Sequence, residues 1–132
     1  MTIETVSRWK SHGGDQGVYR HKSTATGTDM LFSLFLPEGN GPFPLVTYLS
    51  GLTCTHANVT EKGEYRAACA RLGLAFLAPD TSPRGAKVAD DNAYDLGQGA
   101  GFYVDATRAP FAPHYRMWSY IAGELPALVA AE

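Results

Sequence analysis

Cysteine is scarce in this sequence, since only Cys54 and Cys69 occur among its 132 residues. Small secreted domains that depend on disulfides carry far more, so both residues are interpreted as free thiols. The N-terminus lacks a basic region followed by an apolar run, and no later stretch is apolar for long enough to cross a bilayer. These absences predict a protein of the reducing cytoplasm that does not enter a membrane.

An excess of either charge is also missing. The chain has 11 basic and 13 acidic residues and a formal charge of −2, so nothing favours a nucleic acid or an anionic membrane as partner. The chain does have the material for a core, because 45% of its residues are hydrophobic, with seven Tyr and six Phe. No repeat, low-complexity tract or linker interrupts it, and residues 1–132 are predicted to be one piece of a single domain.

Motifs for a nucleophile and for a metal are missing as well. No serine stands in a Gly-x-Ser-x-Gly elbow, the motif that presents a catalytic hydroxyl on a sharp turn after a strand. One candidate set of zinc ligands is Cys54, His56, Cys69 and His114. Their spacings match neither a zinc finger nor a helical His pair, so no metal site is predicted.

The front of the chain has the residue preferences of an antiparallel hairpin. Residues 18–24 and 30–36 favour extended structure, and the turn-forming residues 25–28 separate them. Residues 37–44 are rich in proline and glycine and are predicted to form a loop.

A βαβ unit is predicted after this loop. Residues 45–50 are mostly apolar without alternation, which is typical of a strand inside a sheet and covered on both faces. Residues 64–72 have a helical apolar stripe, and Gly73 is placed to end that helix in a left-handed conformation. The stripe consists of Tyr65, Ala68, Cys69 and Leu72. Residues 74–78 are predicted to be a second buried strand, parallel to the first, which makes the fold class α/β.

The remainder of the chain divides into an irregular segment and a helix. Residues 79–112 hold too many Pro, Gly, Asp and Asn for regular structure, and such long segments are more often functional than idle. Residues 114–132 have an apolar stripe at three- and four-residue spacing, which predicts an amphipathic helix that Pro126 kinks or restarts. The stripe consists of Trp118, Ile121, Ala122, Leu125, Leu128 and Val129.

The loop at residues 50–56 is a candidate site because of its position. It leaves the carboxyl end of the first parallel strand, which is the edge where open α/β sheets bind ligands. Gly51 would let the backbone turn so that a neighbouring amide faces a substrate. An amide fixed where negative charge develops on a carbonyl oxygen contributes roughly 3 to 4 kcal/mol to catalysis. A plain strand-to-helix turn containing glycine explains the same residues, and both interpretations stay open at this point.

Three other groups have simpler structural explanations. Cys54 and His56 could be a thiol and its base, but residues so close in sequence rarely face each other. The glycines of residues 97–101 lack the preceding strand and the spacing of a dinucleotide loop, and they predict a tight loop that lets backbone segments approach closely. Asp80 is expected to form a turn, with Arg84 as its ion-pair partner.

Three longer stretches carry a resemblance to a known family. They are Leu49-Ser50-Gly51-Leu52-Thr53-Cys54-Thr55, Ala78-Pro79-Asp80-Thr81-Ser82-Pro83-Arg84-Gly85 and Gly99-Ala100-Gly101-Phe102-Tyr103-Val104-Asp105-Ala106-Thr107. Together they resemble the S-formylglutathione hydrolases, also called the esterase D family. Residues 115–120 and 124–126 look like the same family, so the similarity covers nearly the whole chain.

This resemblance implies a cytosolic serine thioesterase of the α/β-hydrolase fold. Its substrate would be S-formylglutathione, split into formate and glutathione in the removal of formaldehyde, with no metal or organic cofactor. The loop amide of the oxyanion hole falls on Leu52. Gly51, Thr53 and Cys54 are then substrate-binding residues, and Cys54 lies near the site without being the nucleophile.

Members of this family continue into a further strand, a serine elbow, and a later Asp and His. The chain is therefore expected to be the N-terminal part of one α/β-hydrolase domain, inactive alone and partnered by the missing C-terminal part. A homodimer is a further partner to test. Two alternatives stay open, namely a non-catalytic half-domain that binds a partner through apolar surface, and a carboxylesterase of broad specificity.

Overall fold

Residues 2–131 are described by a computed structural model, in which five strands form one mixed sheet in the order β1-β2-β3-β5-β4. The strands are β1 (Ile3–Ser11), β2 (Gly14–Lys22), β3 (Asp29–Leu36), β4 (Leu45–Thr47) and β5 (Ala75–Pro79). Pairing is antiparallel from β1 through β3 to β5 and parallel between β5 and β4.

The predicted antiparallel hairpin is confirmed as β2 and β3. The turn between them is closed by the Ser23 amide, which donates to the Thr28 carbonyl at 2.9 Å, and Gly27 adopts a φ of +68°. Strand β1 was not predicted. Seven of its nine residues are exposed, so it lacks the alternation of buried and exposed residues by which a half-buried strand is recognised.

The βαβ prediction is right about β5 and the parallel pairing, and wrong about β4. All five residues of β5 are buried. Strand β4 is only three residues long, lies at the sheet edge and is exposed throughout, so the predicted inner strand over residues 45–50 is not observed. The apolar composition of this strand predicts that other elements pack over it, but no element within residues 2–131 buries it.

Two short helices connect β4 to β5. Helix α1 (His56–Lys62) was not predicted, whereas α2 (Arg66–Leu72) matches the predicted helix and ends at Gly73 with a φ of +68°, as expected. Only Cys69 of the predicted stripe is fully buried on α2, and Ala68 and Leu72 are exposed. The α2 helix begins two residues later than predicted, and Tyr65 precedes it, stacked on Phe76 at 3.8 Å between ring centroids.

The C-terminal helix is interrupted by a π-helical turn. It consists of α3 (Met117–Ser119), the π turn (Tyr120–Glu124) and α4 (Leu125–Ala131). Pro126 is the second residue of α4, just after the π turn, which agrees with the predicted break.

The π turn also corrects the predicted stripe of this helix. Trp118 is 62% exposed, and the buried residues are instead Met117, Tyr120, Leu125 and Leu128. A π turn inserts one extra residue, so the stripe before it moves back by one position, from residues 118 and 121 to 117 and 120.

Two clusters of buried side chains cover opposite faces of the sheet. On β5, Leu77 belongs to the cluster with the C-terminal helix, while Phe76 and Ala78 belong to the cluster with Cys69 of α2. Neighbouring residues of a strand point to opposite faces, so the sheet lies between two helical layers.

Residues 80–116 form no helix or strand apart from one isolated bridge between Asp105 and Arg116, as predicted for the irregular segment. The irregular segment folds back, so that residues 97–103 lie beside the loop that follows β4. In the part of the chain from residue 2 to 131, no helix has the length and apolar character to cross a membrane.

Candidate functional site

Residues 50–54, called here the amide turn, connect β4 to helix α1. Thr53 has a φ of +65°, a left-handed conformation that is unfavourable for a β-branched residue. The amide of Thr53 donates to the Gly99 carbonyl at 2.8 Å, and that of Cys54 donates to the Gly51 carbonyl at 3.2 Å. Among residues 2–131, no acceptor engages the Leu52 amide. The bonds of Thr53 and Cys54 thus hold the turn, and the amides of Ser50, Gly51 and Leu52 have no acceptor among the residues that the structure describes.

Residues 97–103, called here the glycine loop, contact the amide turn along one side. A Cβ atom added to Gly101 would lie 3.2 Å from the Gly51 carbonyl carbon and 3.4 Å from the Leu52 nitrogen. The hydroxyl of Tyr103 donates to the Ser50 carbonyl at 2.6 Å. The close backbone approach predicted for the loop's glycines is confirmed, and it occurs at the candidate site.

An ion pair holds the other end of the amide turn. The Arg84 guanidinium binds both carboxylate oxygens of Asp80, at 2.8 and 3.1 Å, as predicted. The Cys54 carbonyl accepts from the same guanidinium at 3.2 Å and from the Thr81 hydroxyl at 2.6 Å. The Asp80 side chain is only 7% exposed, and the ion pair supplies a partner for this buried carboxylate.

Helix α1 begins directly after the amide turn, and its first residues fix where the turn ends. The Thr55 hydroxyl accepts from the Ala57 amide at 3.1 Å, and the Asn58 side chain accepts from the Thr55 amide at 2.8 Å. These reciprocal bonds form a capping box, which satisfies amides that a helix leaves without partners at its start.

The four predicted site residues lie together in the amide turn. Leu52 is 39% exposed. The left-handed residue is Thr53 rather than Gly51, whose φ lies outside that region and whose surroundings would admit a side chain. The role of Gly51 in turning the backbone stays a prediction, and the contact between Thr53 and Gly99 helps to hold the turn.

Cys54 and His56 do not form a thiol and base pair. Cys54 is a half-buried free thiol, and no hydrogen bond in the described part of the chain joins it to the His56 ring. Burial lowers the pKa of His56, although the charge of Asp80 acts in the opposite direction. A neutral imidazole beneath the turn fits a packing role.

Two aspartates of the irregular segment, Asp90 and Asp105, bind backbone amides rather than each other. Asp90 accepts from the amides of Asp91 and Gln98 at 2.8 and 2.9 Å, and Asp105 accepts from the amide and hydroxyl of Ser119. These bonds lower the pKa of both carboxyl groups. Both are structural anchors, which leaves the amide turn as the candidate site.

Sequence reasoning missed Tyr103 as part of this site. Burial, followed by the nearby charge of Asp80, raises the pKa of Tyr103 to about 12, so its hydroxyl stays protonated as a donor. An apolar cleft of about 190 Å³ lies beside the glycine loop, lined by Leu96, Gly101 and Phe102 among others. A tyrosine two residues after a glycine carries no signal by itself, because its partner is 53 residues away in sequence.

The chain is similar to known proteins in sequence. The chain matches a family model named Esterase, described as "Putative esterase", over residues 23–132. It is 58% identical over 131 residues to the S-formylglutathione hydrolase of Paracoccus denitrificans, covering 98% of this chain and 47% of that protein. The chain thus spans about half the length of the relative it matches.

Two solved structures resemble the chain. An S-formylglutathione hydrolase from Agrobacterium tumefaciens matches with a TM-score of 0.95 and 49% identity, over 97% of this chain and 47% of that one. A ferulic acid esterase matches with a TM-score of 0.63 at 14% identity, over 90% of this chain and 42% of that one. The first match places the sheet and its helices in the α/β-hydrolase fold, and the second is a likeness of fold alone.

Proposed function

The chain belongs to the Esterase family, and we propose that it is the oxyanion-binding part of a serine thioesterase that hydrolyses S-formylglutathione. The observation that carries the proposal is the Leu52 amide, which has no acceptor among residues 2–131 although both neighbouring segments of its turn are held in place. A preorganised donor of this kind stabilises negative charge that develops on a carbonyl oxygen.

We propose that the reaction also uses a serine and a histidine from a further part of the domain. A serine hydroxyl loses its proton to a histidine and attacks the formyl carbon, and the Leu52 amide and the amide after that serine bind the resulting oxyanion. The carbon–sulfur bond then breaks, and the glutathione thiolate takes the proton back from histidine. Water, deprotonated by the same histidine, hydrolyses the formyl ester to formate and frees the serine.

Two features of the chain support a further catalytic part. No serine lies in a Gly-x-Ser-x-Gly elbow. Strand β4 and the residues after it expose apolar side chains at the sheet edge, namely Leu45, Val46, Tyr48 and Leu49. An apolar edge of this kind favours pairing with another strand, and we propose that the part with the triad covers it. The chain alone would then lack thioesterase activity.

The cellular role follows from the substrate. Hydrolysis of S-formylglutathione would complete the glutathione-dependent removal of formaldehyde, which takes place in the cytoplasm. The free thiols of Cys54 and Cys69 agree with that reducing compartment.

The proposal is tested in a joined enzyme, in which this chain replaces the matching residues of the Paracoccus denitrificans hydrolase. We expect the joined enzyme to hydrolyse S-formylglutathione far faster than an aryl acetate ester, and the 132-residue chain alone to hydrolyse neither above background. A joined enzyme that folds but prefers the aryl ester would instead support a carboxylesterase of broad specificity. Turnover by the chain alone would contradict the division of the site.

A further inference from the structure

We infer that the glycine loop is a template that fixes the direction of the Leu52 amide, with Gly101 and Tyr103 as positioning residues. This inference rests on the proposed function, because it concerns the same oxyanion site. Three alternate residues of the loop, at positions 99, 101 and 103, each contact a different part of the amide turn.

Gly99 fixes the C-terminal side of the Leu52 residue. Its carbonyl accepts the Thr53 amide at 2.8 Å, and its own amide donates to the buried Ser82 hydroxyl at 2.7 Å. Thr53 is held in its left-handed conformation by this bond, and the conformation of Thr53 determines how the turn continues into α1. The loop thus stabilises a backbone state that threonine disfavours in isolation.

Gly101 fixes the Gly51–Leu52 peptide itself. This peptide carries the Leu52 N–H, and the Gly101 backbone packs so closely that an added Cβ would contact the peptide at 3.2 to 3.4 Å. Such contacts are tight, and here the neighbour is backbone rather than a flexible side chain. A side chain at position 101 therefore requires the two backbones to move apart by a few tenths of an ångström, and one of them is the peptide that carries the donor.

Tyr103 fixes the preceding peptide. Its hydroxyl donates to the Ser50 carbonyl at 2.6 Å, so the Ser50–Gly51 peptide cannot rotate without breaking a short hydrogen bond. Ser50 is itself buried, at 4% exposed. The two peptides before the Leu52 side chain are thus restrained by the same loop, one by a hydrogen bond and one by packing.

The test compares two substitutions in the joined enzyme with matched controls. Gly101→Ala introduces crowding and a side chain at a φ of +75°, while Gly73→Ala introduces a side chain at +68° with no atom within 4 Å. Tyr103→Phe removes one hydroxyl from the amide turn, while Tyr65→Phe removes a hydroxyl that donates to the Gln16 side-chain carbonyl on β2 at 2.5 Å. The substitution and the control of each pair make the same kind of local change, and only the substitution alters a contact with the amide turn.

We expect Gly101→Ala to lower kcat about 30-fold and Tyr103→Phe about fivefold, with KM nearly unchanged, because a displaced donor weakens binding of the transition state more than of the substrate. The controls should keep kcat even where they lower the melting temperature equally. Hydrogen exchange of the Thr53 amide should become at least about tenfold faster in Gly101→Ala and stay unchanged in Gly73→Ala.

Retention of the control kcat by both Gly101→Ala and Tyr103→Phe would overturn the inference. If Gly101→Ala does not fold, Tyr103→Phe decides, since it removes only one oxygen atom. If the joined enzyme without substitutions folds but hydrolyses no S-formylglutathione, the proposed function fails. Exchange of the Thr53 amide then decides the inference, and equal exchange in Gly101→Ala and Gly73→Ala would overturn it.

Discussion

Two turns of this molecule are held by distant segments, and they use their amides differently. The hairpin turn at residues 23–28 is bound by Glu124 of the π turn, whose carboxylate accepts from the amides of Thr24 and Ala25 at 2.8 and 3.1 Å and from the hydroxyls of Ser23 and Thr24. The amide turn is bound at its carbonyls and at Thr53, and its Leu52 amide stays without an acceptor.

This difference separates a structural turn from a functional one. In the hairpin turn a half-buried acceptor is matched to the donors, which is the ordinary way in which folded proteins satisfy polar groups. In the amide turn the surroundings hold the backbone and leave the Leu52 amide unused, together with those of Ser50 and Gly51, although an unpaired donor generally costs free energy. A rigid backbone with a spare N–H is the arrangement that an oxyanion site requires.

The largest expected effect comes from removing the N–H of Leu52. Leu52→Pro deletes the N–H, and turnover of S-formylglutathione by the joined enzyme should fall by about 10²-fold or more. Steady-state kinetics measures this loss.

The matched variant for that experiment is Leu52→Ala, which keeps the N–H and shortens only the side chain. Its loss of turnover should be at least about tenfold smaller. Equal losses in the two variants would mean that the side chain, not the amide, carries the effect.

A smaller effect is expected at the other support of the amide turn. Arg84→Leu removes a donor from the Cys54 carbonyl and leaves the Asp80 carboxylate, 7% exposed, without its partner. We expect a loss of about 3 kcal/mol in the free energy of unfolding, measured by urea denaturation of the joined enzyme. The double variant with Asp80→Asn should recover part of this loss, and no recovery would argue against the ion pair as its cause.

The hairpin turn should respond in stability and not in activity. Glu124→Gln replaces one acceptor oxygen with a donor that faces other donors, and should lower the free energy of unfolding by about 1 to 2 kcal/mol. Turnover per folded molecule should not change. Glu61→Gln, at an exposed position of α1, is the surface control, and a similar loss there would show a general effect of charge.

The smallest expected effect is the pH dependence of the difference in free energy of unfolding between the protein and Glu124→Gln. Burial raises the pKa of Glu124, but the hydrogen bonds from Ser23 and Thr24 together lower it below its ordinary value of 4.5. The stability that Glu124 adds over Gln is therefore fully present above pH 4.5 and is lost as the pH falls through the lower folded pKa. Unfolding curves of both proteins over this range measure it, and a difference independent of pH would contradict the account.

The elements that could be predicted from sequence are those with local signals. Strand β5 is a short apolar run, Gly73 ends α2 as its position predicts, and the dense Pro, Gly, Asp and Asn of residues 79–112 exclude regular structure. Each of these signals lies within a few residues of the structure it determines.

The elements that could not be predicted depend on partners far away in sequence. Apolar residues in β4 indicated an inner strand, but burial depends on what lies beside the sheet edge. The π turn moved Trp118 out of the core by one helical position, and a spacing rule assumes an uninterrupted helix. The family resemblance located the amide turn in the sequence. The contacts that Gly99 and Tyr103 make with it could be seen only in the folded structure.

The central claim is tested most directly by a crystal structure of the joined enzyme after its serine has reacted with an alkyl phosphonate, a stable mimic of the tetrahedral intermediate. The account predicts the Leu52 nitrogen about 2.7 to 3.1 Å from the phosphonyl oxygen, with its N–H directed at that oxygen. A Leu52 amide that points away from the phosphonyl oxygen, or bonds to another part of the protein, would contradict it.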